Sequence, residues 1–460
     1  MSTSATQSAA LVAGPILALL AAYLMLAGGF VPAAAVTLGV TVLCVIWWVF
    51  EPIPIPATSL LPLALLPLLG VLTPEDVGAA YGHPLILLLL GGFILATALE
   101  RNGAHRRIAL TMVRAFGGTS SRRLVLGFMA ASAVLSMWIS NTATTLMLLP
   151  VALAVLEKSD DAALARPLLL GIAYAASVGG IGTPIGTPPN VIFMGVYEQQ
   201  VGETITFARW MTWGVPVVAV FLPLIGLYLT RALGRTPAPT VPEVGQWRIA
   251  EVRVLLVFAA TALLWVTRQE PMGGWAALLG AAHSADYMVA FLGVTALFLI
   301  PDGEGERLLD WDTAARIPWG MLILFGAGIA IAAAFTASGL SASIGAALSG
   351  LAELPVLLLL LCICLTVTFL TETTSNTATT TLLMPILAAG AMGAGMDPKL
   401  FMIPAAMSAS CAFMLPVATA PNVIMYSTAR FSIEDMAKEG FALNLLGAAV
   451  IAGLCYLLLG

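Results

Sequence analysis

The sequence predicts an all-α polytopic membrane protein, folded as an inverted repeat with about 11 transmembrane helices and two re-entrant helical hairpins. Three observations predict this. Of the 460 residues, 60% are hydrophobic and only 9% charged, with a mean hydropathy of +0.99, whereas a soluble domain is about 25% charged. The apolar residues fall in runs of membrane-crossing length, about 20 residues each. One polar motif also occurs twice within otherwise apolar sequence. The 19 Lys and Arg and 24 Asp and Glu are too few to clothe a soluble chain of this length, and a net charge of −5 has the wrong sign for binding nucleic acid. A soluble enzyme and a nucleic-acid partner are excluded, and the lipid bilayer is the expected surrounding.

Each element follows in order. The first run, 11–27, follows MSTSATQSAA, which carries no Lys or Arg and so does not read as a secretory signal peptide. Runs 32–50, 57–71 and 84–100 come next. Residues 106–116 read as an amphipathic helix in the membrane interface. The stretch 122–156 is different, with apolar arms at 124–139 and 146–156 around SNTATT. Such arms are short for a crossing, and two of them around a polar tip fit a re-entrant hairpin. Polar backbone at that depth must be covered by protein or face a wet cavity. Run 167–197 is interrupted by GTPPN, and run 210–231 completes a first half, 1–232. The loop 233–251, with three Pro and scattered charge, reads as a cytoplasmic linker. The second half, 252–460, holds runs 252–267, 286–300 and 317–338, then a hairpin at 354–396 around TETTSNTATTT. Run 400–427, interrupted by ATAPN, and run 440–459 complete it.

Basic residues set the expected orientation. With each hairpin returning to the side it enters from, 122–156 from the cytoplasm and 354–396 from outside, loops 101–123, 157–166, 231–253, 301–316 and 428–439 share a face and carry 16 of the 19 Lys and Arg. Only Arg209, Arg268 and Lys399 lie on the other. The positive-inside rule makes the first face cytoplasmic. The expected location is therefore the inner (plasma) membrane, with the N-terminus inside and the C-terminus outside.

The repeat is explicit. Ser140 opens SNTATTLMLLP and Ser375 opens SNTATTTLLMP, identical at eight of eleven positions and 235 residues apart. GTPPNVI from Gly186 and ATAPNVI from Ala418 form a second pair, 232 apart. Two motif pairs at nearly one offset mark an internal duplication. Five full spans lie between the hairpins, an odd number, so the halves run in opposite senses. Inverted repeats with interrupted helices are the architecture of secondary transporters, with binding at the midplane.

The motifs point to anion and cation binding. Ser140, Asn141 and Thr142 stand where a helical arm begins, and a helix N-terminus offers free N–H groups and partial positive charge to an anion. Pro188, Pro189 and Pro421 remove donors and free carbonyls of the preceding turn, which are hard oxygen ligands for an alkali cation. None of the four motifs contains Lys, Arg or His, so a cation would compensate a bound dianion. A lone SNTATT would read as helix glue and a lone Pro as a kink; their paired recurrence favours a site. Glu372 is ionisable near mid-membrane, either functional or a partner for backbone or Arg groups. His83, His105 and His283 lie in or near loops, so no His proton relay is expected. Cys44, Cys362, Cys364, Cys411 and Cys455 read as buried packing residues, so no redox centre or organic cofactor is expected.

At these residues the sequence resembles the divalent anion/sodium symporter family, the sodium-coupled carriers of dicarboxylates, citrate and sulfate. The resemblance spans essentially the whole chain. It implies a homodimer, each protomer combining a scaffold with a transport part that moves as an elevator. It implies that Asn141, Thr142, Asn376 and Thr377 contact substrate carboxylates, with Thr187 and Thr419 close by. One Na+ site would use Ser136, Ser140, Asn141 and the Gly186 carbonyl. Its counterpart would use Thr371, Ser375, Asn376 and the Ala418 carbonyl. One departure is that the first break reads T-P-P-N and the second T-A-P-N, with Ala420 opposite Pro188, which leaves substrate preference open. The resulting expectation is sodium-coupled import of a C4-type dicarboxylate such as succinate. Sodium-independent exchange and sulfate or citrate carriage are the alternatives within the family. A membrane-embedded enzyme would need paired carboxylates or a His/Asp/Glu metal cluster, which the sequence does not offer.

Overall fold

The computed structural model describes residues 5–117, 120–159, 161, 163–233, 239, 244–269, 273–281, 283–348, 350 and 353–459. Its regular structure is helical. Among the described residues eight helices are long and apolar enough to cross a membrane: Ala5–Ala27, Pro32–Phe50, Pro74–Arg101, Ala165–Gly182, Phe207–Leu229, Ile249–Val266, Trp319–Ala337 and Ile433–Leu459. Four shorter apolar helices accompany them, Ile55–Leu68, Asn141–Leu156, Asp286–Leu299 and Val356–Thr371.

The run at 57–71, expected to be unbroken, is divided, as are the runs expected to be interrupted at 167–197 and 400–427. The first is divided into Ile55–Thr58 and Leu61–Leu68. Its break is tied down by Ser59, whose Oγ accepts from Trp48 Nε1 at 3.0 Å and donates to the Ile55 carbonyl at 2.8 Å. The second becomes Ala165–Gly179 and Pro188–Val201, and the third Pro398–Ala409 and Ala420–Tyr426. Four helices have no counterpart among the predicted runs, the single-turn Trp275–Leu278 and Trp311–Ala314 and two longer ones. Pro74–Tyr81, the first of the two segments of Pro74–Arg101 and followed by Pro84–Arg101, starts at a capping box between Thr73 and Asp76. Leu340–Leu348 follows Gly339, whose φ of 74° ends Trp319–Ala337.

The helix expected at 106–116 is Ala104–Gly117. It carries a buried arginine, Arg107, which pairs with Glu251 at 2.7 Å and stands 4.5 Å from the Trp247 ring. Arg107 also donates to the carbonyls of Val244 at 3.2 Å and Gly245 at 3.1 Å. This gathers the end of the 233–251 loop, most of whose earlier residues lie outside the described set. Residues 249–251 already belong to Ile249–Val266.

The broken helix Ala165–Gly179 is the centre of the fold, buried at every residue from Pro167 to Gly179. Gly179 permits this closeness, because a Cβ there would meet the Ala133 carbonyl at 2.4 Å. Ala5–Ala27 instead turns Leu19, Tyr23 and Leu24 outward, as a helix facing lipid does. Four cysteines are buried as expected, but Cys362 is exposed. It lies on the outward side of Val356–Thr371, while Cys364, two residues on, faces the core.

Candidate functional site

Two helix–turn–helix units bring their tips to one cavity. Ser121–Ser136 and Asn141–Leu156 meet across residues 137–140, and Val356–Thr371 and Asn376–Gly393 across 372–375. Ser140 caps its helix by accepting from the Ala143 amide at 3.2 Å. Ser375 occupies the equivalent position without a capping bond. Each tip holds its asparagine in the same way. Ser136 Oγ donates to Asn141 Oδ1 at 2.5 Å, and Thr371 Oγ1 to Asn376 Oδ1 at 2.7 Å. Thr371 and Asn376 thus repeat Ser136 and Asn141 across the duplication.

The cavity, about 480 Å³, is lined by both tips and both helix breaks. Ser140, Asn141, Thr142, Gly186, Thr187, Ser375, Asn376, Thr377, Ala418 and Thr419 all line it. Ser136 and Thr371 stand behind, touching it through the two asparagines. All twelve residues singled out from sequence are therefore gathered here. Its apolar walls include Leu89, Phe93, Ile185, Met321 and Phe325. Among the described lining residues one side chain is ionisable, Glu51.

The two breaks keep their shape through residues the motifs contained but the sequence reading gave no role. Asn190 Nδ2 donates to the carbonyls of Gly180 at 2.9 Å and Thr183 at 2.7 Å. Its repeat mate Asn422 donates to Ala412 and Leu415, both at 3.0 Å. Trp210 Nε1 takes the Ile181 carbonyl at 2.8 Å. Several carbonyls freed by the breaks are therefore internally satisfied, as buried polar groups must be. The Gly186 and Ala418 carbonyls accept no hydrogen bond from the described residues. Gly180 and Gly186 cross closely: a Cβ on Gly186 would lie 2.5 Å from the Gly180 oxygen, and one on Gly180 would lie 2.9 Å from Asn141 Oδ1. A run of glycines before the first TPPN was the available signal. At the second break Ala412 and Ala418 hold the same places.

Glu372, left open between function and structure, is a structural partner of backbone. Its carboxylate accepts from the amides of Phe413 at 2.7 Å, Met414 at 2.9 Å and Leu415 at 3.0 Å, and from Asn444 Nδ2 at 2.7 Å. It is buried and holds the second break against its own tip. The first tip has Met137 at the matching position and is held differently. Trp138 stacks on Phe207 (6.0 Å, 16°) and meets Phe258 edge-on at 5.2 Å.

The helical membrane fold, with paired polar tips and helix breaks around one cavity, defines a membrane transporter rather than an enzyme. A family model described as "Citrate transporter" matches residues 45–399. The chain is 40% identical to the sodium-dependent dicarboxylate transporter SdcS of Staphylococcus saprophyticus, and 41% identical to SdcS of Staphylococcus aureus strain NCTC 8325. Both matches cover 98% of this chain and 91% of the relative. This chain belongs to that family, the divalent anion/sodium symporter group with its citrate and dicarboxylate carriers. Two solved structures share the fold at low identity. The Alcanivorax borkumensis YdaH transporter has a TM-score of 0.56 at 16% identity, covering 85% of this chain and 87% of that one. Neisseria gonorrhoeae MtrF has a TM-score of 0.60 at 15% identity, covering 85% and 83%.

Proposed function

We propose that the protein couples Na+ to uptake of a C4-type dicarboxylate such as succinate by alternating access. The observation that carries this is the convergence of both SNT tips on one cavity without a Lys, Arg or His in its described lining. A dianion there is held by the amides and hydroxyls of Asn141, Thr142, Asn376 and Thr377 and by two helix N-termini, with Thr187 and Thr419 beside them. Charge balance then falls to cations. Ser136, Ser140, Asn141 and the Gly186 carbonyl supply one oxygen cluster for Na+, and Thr371, Ser375, Asn376 and the Ala418 carbonyl the other. Hydroxyl and carbonyl oxygens are hard ligands of the kind an alkali cation takes, and the names of the similar SdcS proteins fit this choice.

The same reading takes the tips as re-entrant hairpins in two inverted halves, 1–232 and 252–460, joined by the linker. Arg-rich loops in the cytoplasm then leave the N-terminus inside and the C-terminus outside. Val49, Glu51 and Met321 would stand at cytoplasmic helix ends, making this cavity inward-open. Homodimerisation and elevator movement rest on the family resemblance.

The test is radiolabelled succinate uptake into proteoliposomes with and without an inward Na+ gradient. Uptake should require Na+, and Asn141→Ala or Asn376→Ala should abolish it while the protein stays folded in detergent. Wild-type uptake by either variant would overturn the site. Sodium-independent uptake that needs internal dicarboxylate would make the protein an exchanger.

A further inference from the structure

We propose that Glu51 is the charge-selecting residue of the transport cavity, favouring dianions over more highly charged carboxylates and drawing cations to the site. The proposal rests on the transport reading above and adds a residue to it. A carboxylate in the wall of an anion cavity is chemically out of place, and Glu51 is the one ionisable side chain among the described lining residues. Its side chain is exposed, and no described residue pairs with it. The backbone there is unusual as well. Glu51 ends Pro32–Phe50 with φ 46° and ψ 50°, and only Ala429 shares a positive φ among the described non-glycine residues. Glycine or asparagine is the ordinary occupant of such a left-handed helix end, and Pro52 adds its own restriction on residue 51. On the Glu51 side the conformation is held by main-chain atoms: the Glu51 amide donates to the Trp47 carbonyl at 3.1 Å, and the Gln7 side-chain Nε2 donates to the Glu51 carbonyl at 3.1 Å. The carboxylate contributes nothing to that turn, yet it occupies a position where a side chain is disfavoured. Its charge therefore acts on the cavity that Glu51 helps to line.

A fixed negative charge repels an anion in proportion to the anion's charge. Across a wet cavity this amounts to about threefold to thirtyfold for each further charge on the ligand. Succinate at neutral pH is a dianion and citrate mostly a trianion, so the two differ by that one increment. Sodium is drawn in by the same field.

The experiment compares radiolabelled succinate and citrate uptake into proteoliposomes under an inward Na+ gradient, for wild type, Glu51→Gln and Glu51→Asp. Glu51→Gln should raise the citrate-to-succinate ratio at least threefold and raise the Na+ concentration for half-maximal uptake. Glu51→Asp, which keeps the charge, should hold the wild-type ratio. Added choline chloride should raise the ratio in wild type by screening and leave it flat in Glu51→Gln. A Glu51→Gln protein that takes up succinate at an unchanged ratio would overturn the proposal. So would a wild-type ratio indifferent to ionic strength, a result that stands even where Glu51→Gln does not fold. Wild type that carries neither anion would instead bring down the transport reading itself.

Discussion

The Tyr174 hydroxyl donates to the Phe413 carbonyl at 2.7 Å, so the first broken helix holds the break of the second. Their rings also meet at 4.9 Å. Both residues are fully buried, and the bond joins the two repeats behind the cavity. A buried hydrogen bond is worth about 1 kcal/mol, and an orphaned carbonyl costs about 1–3 kcal/mol. Tyr174→Phe should therefore lower the melting temperature in detergent by a few degrees, read by intrinsic fluorescence, and reduce the rate of succinate uptake. An unchanged melting curve would show that the bond carries no stability.

Asn190 and Asn422 each satisfy two carbonyls with one amide group. Replacing either with Ala should unpair both carbonyls and cost about 2–4 kcal/mol, seen as a lower melting temperature and lost uptake. Asp should be worse than Ala at both positions, because it sets an oxygen against oxygens. If Asp proved milder than Ala, these side chains would not be acting as donors.

The two breaks should differ in their tolerance of methyl groups. Gly186→Ala places a Cβ 2.5 Å from the Gly180 oxygen, an overpacking of about 1–3 kcal/mol. Ala418→Gly removes a methyl from the matching position and should cost less than 1 kcal/mol of packing, offset by no clash. Folded yield by size-exclusion chromatography should fall for the first variant and hold for the second. Equal yields would contradict the close crossing seen at Gly180.

Glu372 has four donors on one carboxylate. Glu372→Gln turns a donor group toward N–H groups that need an acceptor, so folded yield and melting temperature should both drop. The pH profile of any remaining uptake should match that of wild type, because a carboxylate engaged by four donors acts by holding structure. A shifted pH profile at normal stability would return Glu372 to a functional role.

The sequence was most informative where it repeats itself. The tips at Ser140 and Ser375 and the breaks at Gly186 and Ala418 were visible because duplication placed rare polar strings at one offset in apolar sequence, and the structure brings all of them to one cavity. What stayed hidden depends on partners distant in the chain. Glu372 is explained by amides some forty residues on and by Asn444, and Trp138 by Phe207 and Phe258. No local pattern records such pairings. The division of 57–71 at Ser59 was masked by an unbroken apolar composition, and Leu340–Leu348 merges with the preceding apolar run. Asn190 and Asn422 were in plain view as the last polar letters of the break motifs, yet their role as internal donors appears only when the carbonyls they face are located.

Those two amides also bear on what ligand capture must accomplish. A loop that waits for its ligand before finding its shape charges the binding event with the entropy of ordering. Here Asn190 and the Trp210 indole hold the first break and Asn422 the second, so both turns are shaped by internal bonds before any solute arrives. Under the alternating-access mechanism proposed above, binding free energy is then left for the change of conformation rather than for ordering the turns.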